Sequence, residues 1–443
     1  MHFRRYATSA VATMVAAAGI GLSTAPSSLA RNEERPGIGD SVGPTAVPAA
    51  GTFYPVSPQR LLGTGSGGYP LPPGAAVSVP VAGHGSLPSS GMSAVLVNVT
   101  TVSDGGSTLS LAPAGSSASG PLVTVSAGTT STLLTIPLAP AGWFGLTASE
   151  RASVAVDVVG FYAADDTVVA SSGVSGGYQP VEPTVLHDSD TAPLEPGGST
   201  RLAVDLGGAI NPHATALLLK VTAKGATSAG SLTVSPATGA QSGSVFFGSG
   251  TTSANLAVVA ADPDAEGRLR LVVGNTSPDP VGVHVDLIGF YDDGALGPNL
   301  RFRTLPQTRV VDTATALGGG PLQPGRRTTV TPPASVVGAS TFGLVGVLTG
   351  SAGGPASLGL HDADSSSSRF DTLPLSPLPT SLAVQPEVGA GGRLALSVPD
   401  GAPTVSATMD VVGSFEAYPP VANPAARGWV SPVSSWEISA QGM

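Results

Sequence analysis

One stretch of sequence decides the fold of this chain, Val156-Asp157-Val158-Val159-Gly160-Phe161-Tyr162. It returns as Val285-Asp286-Leu287-Ile288-Gly289-Phe290-Tyr291 and as Met409-Asp410-Val411-Val412-Gly413-Ser414-Phe415. Each of these closing runs ends a segment that begins with an aromatic, proline-containing opening motif, at Phe53-Tyr54-Pro55-Val56-Ser57-Pro58, Tyr178-Gln179-Pro180-Val181-Glu182-Pro183 and Phe302-Arg303-Thr304-Leu305-Pro306. Openings and closings in the same order predict three copies of one unit of roughly 110 to 115 residues.

The unit is predicted to consist of β-strands. Short apolar runs rich in β-branched residues, such as residues 94–102, 216–222 and 342–348, recur about every 10 to 15 residues between clusters of Pro, Gly, Asn and Asp, which is typical of a β-sandwich or barrel. The closing runs are apolar at almost every position, and this indicates a central strand covered on both faces. We therefore expect an all-β protein of three tandem antiparallel β-sandwich repeats, with very little helix outside the signal peptide.

The repeats divide the 443-residue chain into six predicted parts. These are a signal peptide (1–30), a disordered linker (31–52), three β repeats (53–163, 178–293 and 302–417) and a C-terminal tail (418–443). The sequence leaves two layouts of the repeats open. In the favoured layout, short linkers join three sandwiches, and in the alternative the repeats close around a pseudo-threefold axis as one body.

The first 30 residues have the organisation of an export signal. Arg4 and Arg5 give a positive start, residues 10–22 are apolar, and Ser28-Leu29-Ala30 is a small-residue cleavage site. The apolar stretch is too short to span a bilayer. General secretion is favoured over the twin-arginine route, because residues 6–8 fit the latter poorly. The sequence predicts a secreted, extracellular or cell-wall-associated protein with no membrane span in the mature chain.

Composition restricts the classes of partner. The chain has no cysteine, so its stability must come from its cores rather than from disulfides. Its formal net charge is −10, its only lysines are Lys220 and Lys224, and it has no basic cluster. Because phosphate backbones are bound by several basic side chains on one face, nucleic acid is not an expected partner. A cell-envelope polymer and another surface protein both fit this composition, and the oligomeric state is open.

The opening and closing motifs resemble those of a repeat family of exported actinobacterial proteins, which read roughly F-x-P-x-x-P-x-R-L-L-D-T-R and V-D-V-V-G-Y-F. Matching stretches are Phe53 to Leu62, Arg309-Val310-Val311-Asp312-Thr313 and, for a central G-T-T-x-x-N-L-like motif, Gly250-Thr251-Thr252-Ser253-Ala254-Asn255-Leu256. The motif aspartate is Gly63 in the first repeat, and the motif arginine is Val185 in the second. The resemblance implies an extracellular or wall-associated β-domain without a settled biochemical role.

An aspartate persists in all three closing runs, as Asp157, Asp286 and Asp410. A carboxylate among apolar neighbours is costly unless it is paired or hydrogen-bonded, so we predict a structural role for these residues. Arg60 and Arg309 in the opening strands are the expected partners of the first and third aspartates, whereas Val185 leaves the second without one.

No polar cluster recurs as a duplicated catalytic site would, and we predict no catalytic residue and no cofactor. Gly173-Val174-Ser175-Gly176-Gly177 has nucleophile-elbow spacing but lies in a linker. The strings His187-Asp188-Ser189-Asp190 and His361-Asp362-Ala363-Asp364 lie at different places in their repeats and are interpreted as hydrogen-bonded turns. A weak calcium candidate is formed by Asp262, Asp264 and Glu266. A hairpin turn is favoured there, because Val273 stands where an EF-hand needs a bidentate glutamate.

The candidate ligand aromatics are Trp143, Trp429 and Trp436. Arg268 and Arg393 replace the first of them in the other repeats, so no sugar-stacking platform recurs, and the two tail tryptophans are expected to pack against the last repeat. The leading hypothesis is a non-catalytic secreted or cell-surface structural or interaction protein. A carbohydrate- or cell-wall-polymer-binding protein is the alternative and requires a groove lined by Trp or Tyr. A hydrolase is a third hypothesis and requires two convergent carboxylates or a Ser-His pair.

Overall fold

The computed structural model describes residues 49–442 apart from 65–69, 117–119, 121, 169–174, 190–191, 365–371 and 421–437. The predicted signal peptide lies outside these residues. The described residues all belong to one compact unit. The predicted all-β class is confirmed, because the described residues form 25 strands and a single 3-10 turn, η1 (Asn211–His213). In this part of the chain no helix is long and apolar enough to cross a membrane.

Eight strands follow one another in each of three segments. The first segment contains β1 (Phe53–Gly63), β2 (Ala76–Pro80), β3 (Met92–Ser103), β4 (Ser107–Pro113), β5 (Leu122–Val125), β6 (Gly128–Pro137), β7 (Trp143–Ala148) and β8 (Ser153–Ala163). The second contains β9 (Tyr178–Asp188), β10 (Ser199–Asp205), β11 (Ala214–Lys224), β12 (Gly230–Pro236), β13 (Gly243–Phe247), β14 (Ser253–Ala260), β15 (Leu269–Asn275) and β16 (Gly282–Asp292). The third contains β17 (Asn299–Asp312), β18 (Arg327–Val330), β19 (Thr341–Ala352), β20 (Ala356–Asp362), β21 (Leu373–Leu375), β22 (Thr380–Val384), β23 (Leu394–Ser397) and β24 (Val405–Tyr418).

The three segments share one strand order. In the first, β1-β8-β3-β6 form one sheet and β2-β7-β4-β5 form the other. The second segment has the order β9-β16-β11-β14 and β10-β15-β12-β13, and the third has β17-β24-β19-β22 and β18-β23-β20-β21. Two packed antiparallel sheets connected in this way form a jelly roll. We call the sheet that holds the opening and closing motifs the inner sheet of its segment, and the other the outer sheet.

Two pairings join parts that are distant in sequence. Strand β9 meets β17 at Tyr178 and Leu300, so the inner sheets of the second and third segments form one eight-stranded sheet. Strand β25 (Ser439–Gly442) pairs along β10. Residues 439–442 of the predicted C-terminal tail therefore form a fifth strand in the outer sheet of the second segment.

Each sandwich has its own apolar core, and a fourth core lies where the three inner sheets meet. The closing strand β8 shows why its sequence is apolar throughout. Val156 and Val158 pack into the core of the first sandwich, whereas Val159 and Tyr162 pack into the shared core. All three segments contribute to this shared core. The layout is therefore one closed body and not three sandwiches joined only by linkers.

Candidate functional site

The centre of the molecule is formed by six aromatic side chains, one from each opening motif and one from the end of each closing run. They stack in three pairs, each of which joins two segments: Phe53 on Tyr291 (4.1 Å between ring centroids), Tyr178 on Phe415 (4.6 Å) and Phe302 on Tyr162 (4.2 Å). Each opening aromatic thus contacts the closing aromatic of a neighbouring segment, and the three contacts complete a cycle. We call these six residues the aromatic centre.

The hydroxyl groups of the aromatic centre are satisfied within the protein. Tyr162 and Tyr291, which are at most 1% exposed, share a hydrogen bond of 2.7 Å between their hydroxyl oxygens. The Tyr178 hydroxyl donates to the carbonyl oxygen of Ile288 at 3.0 Å. Burial raises the pKa of both Tyr162 and Tyr291. The phenols therefore stay protonated and serve packing.

A glycine in each closing run makes room for the opening aromatic of the same segment. A Cβ atom placed on Gly160 would lie 2.1 Å from the Phe53 ring. The corresponding distance is 2.3 Å at Gly289, from the Tyr178 ring, and 2.3 Å at Gly413, from the Phe302 ring. No side chain fits at such distances, so glycine is required by this close approach of ring and backbone. The pattern of two branched apolar residues followed by glycine in the closing runs is therefore part of the packing of the aromatic centre.

Polar contacts between segments surround the shared core. The side-chain oxygen of Asn255, in the second segment, accepts a hydrogen bond from the backbone N–H of Leu133, in the first segment, at 3.0 Å. Its amide nitrogen donates to the carbonyl oxygen of Ser244 at 2.9 Å. The Ser381 hydroxyl of the third segment accepts from the backbone N–H of Thr124 in the first at 2.9 Å. Asn255 belongs to the central motif of the sequence, which gave no sign that it joins two segments.

The structure pairs two of the three recurring aspartates with the arginines expected from the sequence. Arg309 binds Asp410 through two hydrogen bonds of 2.9 Å, and the Asp410 side chain is 4% exposed. Arg60 binds Asp157 at 2.5 and 3.1 Å, and this arginine side chain is 52% exposed. Both pairs join the opening strand to the closing strand of one segment, so the geometry is that of a structural clamp.

The two pairs differ in burial, and we therefore expect them to differ in their contribution to stability. Replacing Arg309 by methionine leaves the Asp410 carboxylate buried without its partner, and we expect a loss of about 2–3 kcal/mol in the free energy of unfolding. Replacing Arg60 by methionine should cost about 1 kcal/mol or less, because an exposed pair is weak. Urea unfolding of the two variants checks this order. Equal losses would show that burial of the aspartate does not determine the strength of the clamp.

The second aspartate has a different partner, and the expectation that Asp286 lacks one is wrong. His284 lies two residues before it on the same strand, and its Nε2 is 2.9 Å from Asp286 Oδ1. Its Nδ1 is 3.1 Å from Asp188 Oδ2. Both ring nitrogens can donate only in the imidazolium form. The hydrogen bond to Asp286 raises the pKa of His284, although burial and the Lys224 charge oppose this.

This arrangement predicts a pH-dependent contribution to stability in the second segment. Because the pKa of His284 is raised in the folded chain, its contribution is complete below the unfolded value of about 6.5 and is lost as the pH rises through the folded pKa. Near pH 6 the free energy of unfolding of the wild type should exceed that of His284→Gln by about 1 kcal/mol or less, since the site is partly exposed. This difference in free energy should shrink at alkaline pH. Urea titrations at several pH values measure it. A difference that grows with pH would contradict the imidazolium assignment.

The candidate calcium residues are occupied by protein groups. Asp264 accepts hydrogen bonds from the backbone N–H and the Nε of Arg268, at 2.9 and 3.0 Å, and Glu266 contacts the same guanidinium at 3.2 Å. Asp262 accepts from the backbone N–H of Thr238 at 2.7 Å. In this turn Arg268 forms a salt bridge with Asp264, and Arg270 forms one with Asp262. Within the described residues no group of three or more His, Asp or Glu side chains could hold a metal ion.

The remaining sequence motifs do not meet in one place. Gly173 and Val174 lie outside the described residues, and Gly177 donates its N–H to Asp292 at 2.8 Å just before β9. The Asp364 N–H binds the side chain of Asp362 at 2.7 Å, which is the geometry of a turn. Asp188 instead contacts His284. The two His-Asp strings therefore have different local roles.

Of the candidate ligand aromatics, the structure describes Trp143. Its side chain is 42% exposed at the start of β7. Trp429 and Trp436 lie outside the described residues, although Ile438, two residues beyond the latter, is buried in the core of the second sandwich. A cavity where the inner sheets meet, beside Thr135 and Gln385, has room for about one water molecule and is too small for a polymer ligand.

Comparisons with known proteins add little to this geometry. No protein-family model and no curated protein matches the chain. Similar solved structures include two described as the triple jelly roll fold and turret assembly in an archaeal virus and the atomic structure of Sulfolobus turreted icosahedral virus. Each is 8% identical, covers 82% of this chain and 91% of the other, and has a TM-score of 0.17. At this level of similarity neither structure bears on the function of this chain.

Proposed function

We propose that this chain is a non-catalytic structural or interaction protein of the cell exterior, in which three jelly rolls form one rigid body. One observation carries the proposal: the residues that recur between segments contact one another. The recurring aromatics stack in a closed cycle, the recurring glycines accommodate their rings, and the recurring aspartates are held by Arg60, His284 and Arg309. The residues that recur between the segments therefore serve the packing of the fold.

The surface chemistry supports the same proposal. The chain carries few charges for its length, and its net charge is negative. A surface with few charges over a body with several apolar cores is suited to persistence outside the cell, where no disulfide is available to a chain without cysteine. The export signal predicted for residues 1–30 supplies the route.

Three measurements, two on the producing cells and one on the purified chain, test this function. Fractionation should place the protein outside the cytoplasmic membrane, and the purified mature chain should release no soluble fragments from peptidoglycan or polysaccharides above a heat-inactivated control. Crosslinking on living cells should capture it beside envelope components. Retention in the cytoplasm would exclude an exterior role, and reproducible release of fragments would establish a hydrolase in its place.

A carbohydrate- or wall-polymer-binding function is the second candidate, because the structure exposes an aromatic ring that could stack on a sugar, that of Trp143. The test is retention of the mature chain on insoluble cell-wall polysaccharide. Trp143→Ala should abolish retention, whereas Leu378→Ala, which removes a side chain that is 59% exposed in the third segment, should not. Equal retention of both variants would remove Trp143 from the binding site.

A further inference from the structure

The edge of the second outer sheet is occupied by the short strand β25, residues 439–442. Strand β25 pairs with β10 in four residue pairs, Leu202 with Gly442, Ala203 with Gln441, Val204 with Ala440 and Asp205 with Ser439. The residue before this strand, Ile438, is 7% exposed and belongs to the core of the second sandwich. The pairing therefore combines backbone hydrogen bonds with one apolar anchor, as in the addition of an extended peptide to a sheet edge.

The other two segments provide the comparison. Strands β2 and β18 occupy the corresponding edges, and within the described residues neither carries a further strand. Ser78 of β2 and Thr329 of β18 correspond to Ala203, because they lie opposite Gly145 and Ala395 as Ala203 lies opposite Arg270. Both are exposed, whereas Ala203 is 1% exposed. The edge that is covered carries an apolar residue, and the uncovered edges carry hydroxyls.

The position before Ala203 also differs in exposure between the covered edge and the open edges. Leu202 is 1% exposed under β25, whereas the corresponding Val77 and Thr328 are half-buried at their open edges. The open β2 edge also ends in Pro80, which has no backbone N–H to donate. Strand β10 contains no proline, whereas Arg327 of β18 has its counterpart in Arg201 of β10. The sequence of β10 is suited to an edge that receives a strand.

We propose that the β10 edge is a strand-docking site for the segment 438–442. In this proposal two copies of the chain exchange the segment, so that the β10 edge of each copy binds residues 438–442 of the other. The occupant is identified by the segment already seated there, in its register and with its Ile438 anchor. Four residue pairs form a short strand, and exchange of a short element between identical copies conserves every contact. The docking site would thus produce a strand-exchanged dimer at high protein concentration.

The absence of native cysteine makes a direct test possible. Two full-length single variants, Ala203→Cys and Gln441→Cys, are mixed, incubated at high concentration and treated with a short bis-thiol-reactive crosslinker. The two positions face each other in the register, so exchange should give a crosslinked heterodimer of twice the monomer mass. A mixture of Ser78→Cys with Gln441→Cys is the matched control for an open edge. Adding Ile438→Asp to the Gln441→Cys chain removes the anchor and should reduce the dimer at least tenfold.

The double variant Ala203→Cys/Gln441→Cys distinguishes the remaining outcomes. Internal crosslinking of the dilute double variant together with heterodimer in the concentrated mixture supports the proposal. Complete internal crosslinking with no heterodimer above the Ser78 control overturns exchange and leaves β25 as a fixed strand. No crosslink in either sample overturns the docking site itself. Light scattering on the wild type over the same concentrations should show the dimer without any crosslinker.

Discussion

Tyr162→Ala is expected to lower the free energy of unfolding by about 3–5 kcal/mol. The ring of Tyr162 contacts aromatic side chains of all three segments, including Phe53, Phe302 and Phe415. Its loss leaves a cavity in the shared core and removes the hydrogen-bond partner of the buried Tyr291 hydroxyl. Urea unfolding followed by circular dichroism measures the effect.

The neighbouring variant Tyr54→Ala is the matched control. Tyr54 follows Phe53 in the first opening motif, but it is half-buried and stacks on Phe161 of its own segment at 4.9 Å. We expect its loss to cost about 1–2 kcal/mol, because less apolar surface is re-exposed. If the two variants were equally destabilised, contacts between segments would contribute no more than those within one segment.

Gly413→Val is expected to destabilise the chain by about 3 kcal/mol through overpacking. A Cβ atom on Gly413 would lie 2.3 and 2.4 Å from two ring carbons of Phe302 and 3.0 Å from the carbonyl oxygen of Arg303. Strand β24 is held on both sides by β17 and β19, so the ring rather than the backbone must move. Movement of the Phe302 ring disrupts its stacking on Tyr162 and thus the contact between the third and first segments.

Gly145→Val is the control for placing valine in a strand where it meets no clash. Gly145 lies in β7 of an outer sheet, and its nearest neighbour to a new Cβ would be the Ala112 carbonyl oxygen at 3.8 Å. We expect a change within about 0.5 kcal/mol of zero, because ordinary contact replaces the clash. Thermal unfolding of both variants gives the comparison. A stable Gly413→Val protein would show that the aromatic centre tolerates a displaced ring.

Much of the fold follows from the period and composition of the sequence. The closing runs predicted central strands covered on both faces, and the structure places Val158 in a sandwich core and Val159 in the shared core. What covers the second face could not be inferred, because an apolar face specifies burial and not its partner. The same apolar pattern occurs in a strand that is covered by a helix, by a second sheet or by another copy of the unit.

The site was predictable in part. Asp157 and Asp410 have the arginine partners that the opening strands suggested. The partner of Asp286 was missed, although His284 lies at the i−2 position, and alternate residues of a strand share a face. Strand β25 gave little signal, because four residues, Ser-Ala-Gln-Gly, are too few for a recognisable period. Its position on β10 depends on tertiary contacts that local sequence does not encode.

Hydrogen exchange measured by mass spectrometry on Tyr162→Ala tests the central claim most directly, which is that the three segments form one body closed by the aromatic centre. The closed body predicts that amides of β8, β16 and β24 lose protection together, since each closing strand contributes an aromatic residue to the same cluster. Wild-type chain under the same conditions supplies the reference rates. Loss of protection confined to residues 53–163, with β16 and β24 exchanging as in the wild type, would contradict the claim and restore three independent sandwiches.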